Sequence, residues 1–193
     1  MMVALAKVPL RMTVDEFLRW DPGDDGRYEL VDGEPRAMAP ASPLHGVLQG
    51  RLARILGNHV ETLSNGCQVV IAPGVAPKRF STHNARVPDL AVTCSPVLPD
   101  QSILANPVLL VDMLSPTNQA KTRANVWAYT SIPSVREILV LHADRIAAEL
   151  LRRAPDGEWP DEPAKIADGA VELESIGFRL VLAELYARTG LAG

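Results

Sequence analysis

Apolar residues return at helical spacing through the stretch 44–63. Leu44, Val47, Leu48, Leu52, Ile55, Leu56, His59 and Leu63 fall on one stripe, while Gln49, Arg51, Arg54 and Asn58 lie off it. That spacing predicts a long amphipathic helix laid against a core. Ser64-Asn65-Gly66 follows, and either Asn65 or Gly66 suits the left-handed residue that ends a helix. A shorter helix is expected after Thr13, where Glu16 three residues on completes a capping box. It has to stop before the turn-rich stretch Asp21 to Gly26. Between the two helices, residues 27–31 and 34–38 read as strands around Asp32-Gly33, a strong hairpin signal. Pro35 puts the second arm on a sheet edge.

Past residue 66 the pattern changes from helical to strand-like. Residues 67–72 read as a strand buried by its composition, and 75–80 as a short second one. Residues 87–94 form another. Residues 107–114 are so apolar that the strand they form should be central. Ser115-Pro116 suits a helix start with proline at its first position, and Pro133 forces that helix to end by Ile132. On this helix Ala124, Trp127 and Ala128 read as the core-facing stripe, with Lys121, Asn125 and Tyr129 on another stripe at spacing four. Residues 135–141 and 145–151 read as an antiparallel pair. The proline-rich stretch 154–168 reads as a long loop, followed by short strands at 170–173 and 178–181 and a last helical turn or two at 182–189. There is no internal repeat, and the part after the loop is too small to fold alone. The expectation is a single α/β (α+β) domain over residues 1–193.

Composition narrows the picture. Apolar residues make up 47% of the 193-residue chain and aromatics only 5%, so the core must be mostly Leu, Val, Ile and Ala. A net charge of −4 gives no general attraction to nucleic acid or anionic lipid. Any phosphate contact must come from a metal or a local patch. Lys78, Arg79 and Arg86 form such a patch, readable either as a solvated face or as a set of backbone-phosphate contacts. Cys67 and Cys94 sit inside apolar runs and read as two buried free thiols, with no C-x-x-C spacing for zinc. The first ten residues lack a basic leader, and no run reaches the roughly 18 apolar residues of a membrane span. The chain reads as soluble and cytoplasmic.

Two carboxylates, Asp89 and Asp112, stand on otherwise apolar strand-like runs. Burying an ionised carboxylate is costly unless it is paired or binds a cation. By strand alternation, Asp89 shares a face with Ala91, and Asp112 with Leu110. If the two strands pair, both carboxylates project to one side near strand ends, a seat for an oxygen-preferring cation such as magnesium. The bland readings are a strand-start residue for Asp89 and a cap of the following helix for Asp112. Lys121 reads either as a phosphate-facing cation or as a solvated lysine. His45 reads as a ligand contact or as a polar helix-start residue, and His59 as core.

Taken in order, Tyr28 to Glu34, Ser42-Pro43-Leu44-His45, Pro88-Asp89-Leu90, Leu110 to Asn118, Tyr129 and Ile132 to Glu137 resemble the Uma-two family. The likeness runs from about Thr13 to Tyr186. It implies a restriction-endonuclease-like core of the PD-(D/E)XK type: a mixed β-sheet flanked by helices, here with an N-terminal hairpin and C-terminal β additions. It also implies Mg2+ or Mn2+ at strand-end carboxylates and hydrolysis of DNA phosphodiester bonds. Asp89 matches the family's Pro-Asp aspartate. Asp112 stands where glutamate is usual and is one methylene shorter. Asn125 stands where a lysine is usual, with Lys121 one helical turn earlier as the candidate substitute. Glu29 and His45 match recurring family positions. The resemblance and the expected edge strands at 34–38 and after Pro133 together suggest a homodimer. The alternative is a catalytically inactive nuclease-fold module that binds nucleic acid or protein.

Overall fold

The computed structural model describes residues 11–78 and 82–192. The first ten residues and Arg79 of the basic patch lie outside the described residues.

Each expected local signal that has its own hydrogen bonds produces its element. Thr13 and Glu16 form a capping box, the Glu16 carboxylate accepting from the Thr13 amide at 2.8 Å, and helix α1 (Val14–Arg19) follows. Strands β1 (Tyr28–Val31) and β2 (Glu34–Ala37) form an antiparallel hairpin. Its turn residues Asp32 and Gly33 have φ of 50° and 85°, as a type I′ turn requires. Helix α2 (Pro43–Thr62) starts where the Ser42 hydroxyl accepts from the His45 amide at 3.2 Å. It buries Leu48, Leu52, Leu56 and Val60 at spacing four. Ser64, with φ of 50°, and Gly66, with φ of 75°, take the left-handed conformation after it. Asn65 does not, and its side chain accepts instead from the Cys67 amide.

The core is a six-stranded mixed sheet, ordered β3 (Gln68–Ile71), β4 (Leu90–Thr93), β5 (Pro107–Leu114), β6 (Glu137–His142), β7 (Ala148–Arg152) and β8 (Ala164–Ile166). Neighbours are antiparallel except β5 and β6, which run parallel with helix α3 (Gln119–Tyr129) as their crossover. Residues 170–173 and 178–181 form a separate hairpin, β9 and β10, and α4 (Leu182–Tyr186) packs beyond it. Strand alternation divides the core in two. Leu90, Val92, Leu109, Val111, Met113, Leu139 and Leu141 pack with α2, and Ala91, Leu110, Leu114, Ile138 and Val140 pack with Val126 and Tyr129 of α3. A strand covered on both faces must be apolar throughout, which is why β5 is. No helix among the described residues is long and apolar enough to cross a membrane.

Several expectations need correction. The strand after Cys67 is an edge strand, and its Ile71 is 58% exposed. Of the expected strand 75–80, residues 79 and 80 lie outside the described residues, and the described part makes a single bridge, Val75 to Arg86. Helix α3 begins at Gln119, four residues after Ser115, because the Asn118 side chain bridges the Ser115 amide and the Met113 carbonyl and closes a turn first. Its core-facing residues are Thr122, Asn125, Val126 and Tyr129, while Trp127 is 43% exposed. The chain after Pro133 does not form an edge, since β6 lies between β5 and β7. The edge on that side is β8, which falls inside the expected loop. Cys67 and Cys94 are not free thiols. They flank the Gln68–Thr93 pair of β3 and β4 and form a disulfide.

Candidate active site

The site grows from one register. Leu90 of β4 opposes Val111 of β5, so Asp89 and Asp112 face each other one step further along. The Asp89 amide donates to Asp112 Oδ1 at 3.2 Å, and the Met113 amide donates to Asp89 Oδ2 at 2.7 Å. From the start of α2, His45 Nε2 meets Asp89 Oδ1 at 2.8 Å, and Gln49 Nε2, one turn on, donates to the Asp89 carbonyl at 2.8 Å. The Ala72 amide, at the end of β3, donates to the same carbonyl at 3.0 Å. Asp89 is thus fixed from two strands and one helix.

A second group meets it from the α3 side. Glu29, on β1, is 2% exposed. Its Oε1 lies 3.1 Å from Lys121 Nζ, and its Oε2 accepts from Asn125 Nδ2 at 3.4 Å. Tyr129, one turn past Asn125, is wholly buried, and its hydroxyl makes no well-formed hydrogen bond. Asn125 Oδ1 and Arg86 Nε are likewise buried without partners.

The electrostatics follow from crowding. Burial, and after it the Asp89 charge, pushes the Asp112 carboxyl up to about 8. The hydrogen bond to Asp89 raises the His45 imidazole above its ordinary value against the opposing effect of burial. Burial, with Asp112, Glu29 and Asp89 close by, raises the Tyr129 phenol well above its usual range. The site gathers more negative charge than its surroundings tolerate, and protons or a cation relieve it.

The expected residues Glu29, His45, Asp89, Asp112, Lys121 and Asn125 therefore converge. Lys78 does not join them. It lines a separate cavity of about 270 Å³ with Val75, Leu104 and Pro133. Arg86 is no part of an exposed basic face: it is 6% exposed, and its bridge to Val75 turns it into the molecule. Gln49 and Tyr129 were absent from the expected site residues. Their signal was spacing, Gln49 four residues after His45 and Tyr129 four after Asn125.

Among the described residues no group of three or more His, Cys, Asp or Glu is arranged to hold a metal ion alone, so an ion at this site would take part of its coordination from water or substrate. The donor set fits magnesium. That ion keeps several waters and takes one or two carboxylates plus substrate phosphate. Each oxygen of Asp89 accepts one hydrogen bond and retains a second lone pair.

The central mixed sheet flanked by helices is a fold that the protein shares with a solved structure. It matches the crystal structure of "a putative nuclease belonging to DUF820" from Anabaena variabilis ATCC 29413, with a TM-score of 0.72 at 16% identity over 91% of this chain and 97% of that one. The chain belongs to the Uma2 family, described as "Putative restriction endonuclease", whose model matches residues 14–183. It is also 26% identical over 178 residues to the uncharacterized protein slr1290 of Synechocystis sp. (strain ATCC 27184 / PCC 6803 / Kazusa), covering 91% of this chain and 92% of that protein.

Proposed function

We propose that the protein is a divalent-metal-dependent nuclease that hydrolyses phosphodiester bonds in DNA. The observation that carries this reading is the interlocked pair Asp89 and Asp112, two carboxylates held side by side at adjoining strand ends. These two residues would hold the metal. Bound there, Mg2+ or Mn2+ would polarise the scissile phosphate and lower the pKa of a water. His45 and Gln49 keep Asp89 in place. Lys121 supplies the positive charge for the phosphate, and Glu29 anchors its ammonium beside the site. Phosphodiester cleavage builds negative charge around phosphorus, so an ammonium delivered there from its resting place on Glu29 favours the transition state.

A second reading is favoured by one observation: Asn125, the helix position aimed at Glu29, carries no charge. A chain that binds DNA without cutting it would retain the fold and lose the rate. Supercoiled plasmid incubated with the purified protein and Mn2+ separates the two. Nicking abolished by Asp112→Asn supports the nuclease. DNA retention that weakens steeply with salt, without nicking, supports the binding module.

A further inference from the structure

Glu29 feels two cations, Lys121 and Arg86, and its ion pair, at 3.1 Å, is with Lys121. The β1 hairpin meets the segment before Asp89 through a bridge in which the Leu30 amide donates to the Ala85 carbonyl at 2.8 Å and the Ala85 amide donates back at 3.1 Å. In an antiparallel pairing the next opposed residues are Glu29 and Arg86, with side chains on the same side. Both are buried, and Arg86 Nε has no hydrogen-bond partner. Burial lowers the Arg86 guanidinium from its ordinary value, and the Glu29 charge is the first influence opposing that.

The cation that holds Glu29 is the exposed one. The Lys121 side chain is 41% exposed while its ammonium sits on Glu29 Oε1. An ammonium that moves to a phosphate has to leave that carboxylate. A buried charge stripped of its partner is strongly unfavourable. Arg86 cannot leave, because it is buried, and it cannot lose its proton.

We propose that Arg86 is the standby counter-ion of Glu29, a positioning residue that keeps the buried carboxylate compensated when Lys121 swings out to a backbone phosphate. The destination of Lys121 rests on the nuclease reading, but the competition of two cations for Glu29 does not. Arg86 therefore acts through Lys121 and touches no substrate.

The test measures how freely the Lys121 amine reacts, without metal or DNA. The full chain is treated with a limiting amine-acetylating reagent, and acetylation is read by peptide mass spectrometry at Lys121, with Lys78 and Lys165 as internal references. With Arg86 present, Lys121 spends part of its time off Glu29. Arg86→Gln should hold Lys121 on the carboxylate and lower its labelling several-fold against the references, and Arg86→Lys should restore it. In a Glu29→Gln background, Arg86→Gln should change nothing. Equal Lys121 labelling in the folded unchanged chain and Arg86→Gln overturns the proposal. Should Arg86→Gln fail to fold, the double variant Glu29→Gln/Arg86→Gln decides. A restored fold supports compensation of one charge by the other, and a fold that stays lost overturns it. Plasmid nicking by the same proteins is scored separately. No nicking by the unchanged chain defeats the nuclease reading and leaves the labelling result standing.

Discussion

Asp89 and Asp112 fix each other: the amide of Asp89 donates to the carboxylate of Asp112 at 3.2 Å, while the carboxylate of Asp89 accepts from the amide that follows Asp112 at 2.7 Å. The exchange locks two acidic side chains together at the open end of β4 and β5. Two like charges so placed repel, which is part of why the Asp112 carboxyl rises to about 8. A packed core gains nothing from that arrangement. A cation between the two carboxylates removes the repulsion, which is the physical basis for reading the pair as a metal seat.

Lys121 is expected to carry the rate. Removing one preorganised electrostatic contact of this kind costs a factor of roughly 100 to 1,000, so Lys121→Ala should reduce metal-dependent nicking by about that much. Adding Asn125→Lys to Lys121→Ala should recover part of it, because Asn125 already reaches Glu29 from one turn further along α3. Single-turnover nicking of supercoiled plasmid measures both. Full activity in Lys121→Ala would remove the lysine from the mechanism.

A second set of charges clamps α3 to the sheet. Arg123 donates two hydrogen bonds to Glu149 of β7, the one from Nη2 at 2.8 Å, and His142 Nε2 meets Glu149 Oε1 at 2.9 Å. The Arg123 hydrogen bond lowers the Glu149 carboxyl from its ordinary 4.5, with His142 adding to it and burial opposing. A depressed folded value means that the unfolded chain takes up the proton first. The stabilisation is therefore present above pH 4.5 and is lost as pH falls from 4.5 through the lowered value. Glu149→Gln should cost about 1–3 kcal/mol at neutral pH and flatten that part of the acid limb. Urea unfolding between pH 3 and 7 checks it, and parallel acid limbs in the two proteins would contradict it.

The Cys67–Cys94 bond closes a loop over a sequence separation of 27 residues. Loop closure of that size restricts the unfolded chain by about 3–4 kcal/mol. Reduction should lower stability by that order and free the edge strand β3. A thiol titration in denaturant without reductant should find no reactive cysteine. Two titrated thiols would restore the free-cysteine expectation.

How much of this was legible follows from where each signal sits. The Asp32-Gly33 turn, the Thr13 capping box, the leucine stripe of α2 and the apolar run of β5 are local, and a single sequence carries them whole. Asp89 and Asp112 were also legible, because a carboxylate in an apolar strand stands out and strand parity puts both on one face. The face of α3 was not. Ala124, Trp127 and Ala128 are more apolar than Asn125 and Tyr129, yet the polar pair is buried: Asn125 reaches Glu29 on a hairpin 96 residues away, and Tyr129 packs into the core beside Leu110 and Ile138. Arg86 was misplaced for the same reason: its burial depends on a bridge to Val75 that no local pattern encodes. A site assembled from β1, α2, β4, β5 and α3 appears only once the sheet order brings their ends together.

The most direct measurement is a Mg2+ and Mn2+ titration of the thermal midpoint, on the unchanged protein and on Asp89→Asn and Asp112→Asn. A ligand bound only by the folded state stabilises it, by about 2.7 kcal/mol at a hundred times its dissociation constant. The expected result is a midpoint that rises with metal in the unchanged protein and stays flat in both variants, while calcium-free buffer with chelator brings all three to their own constant baselines. A midpoint that ignores millimolar metal, or one that rises equally in the two variants, would contradict a metal seat at Asp89 and Asp112.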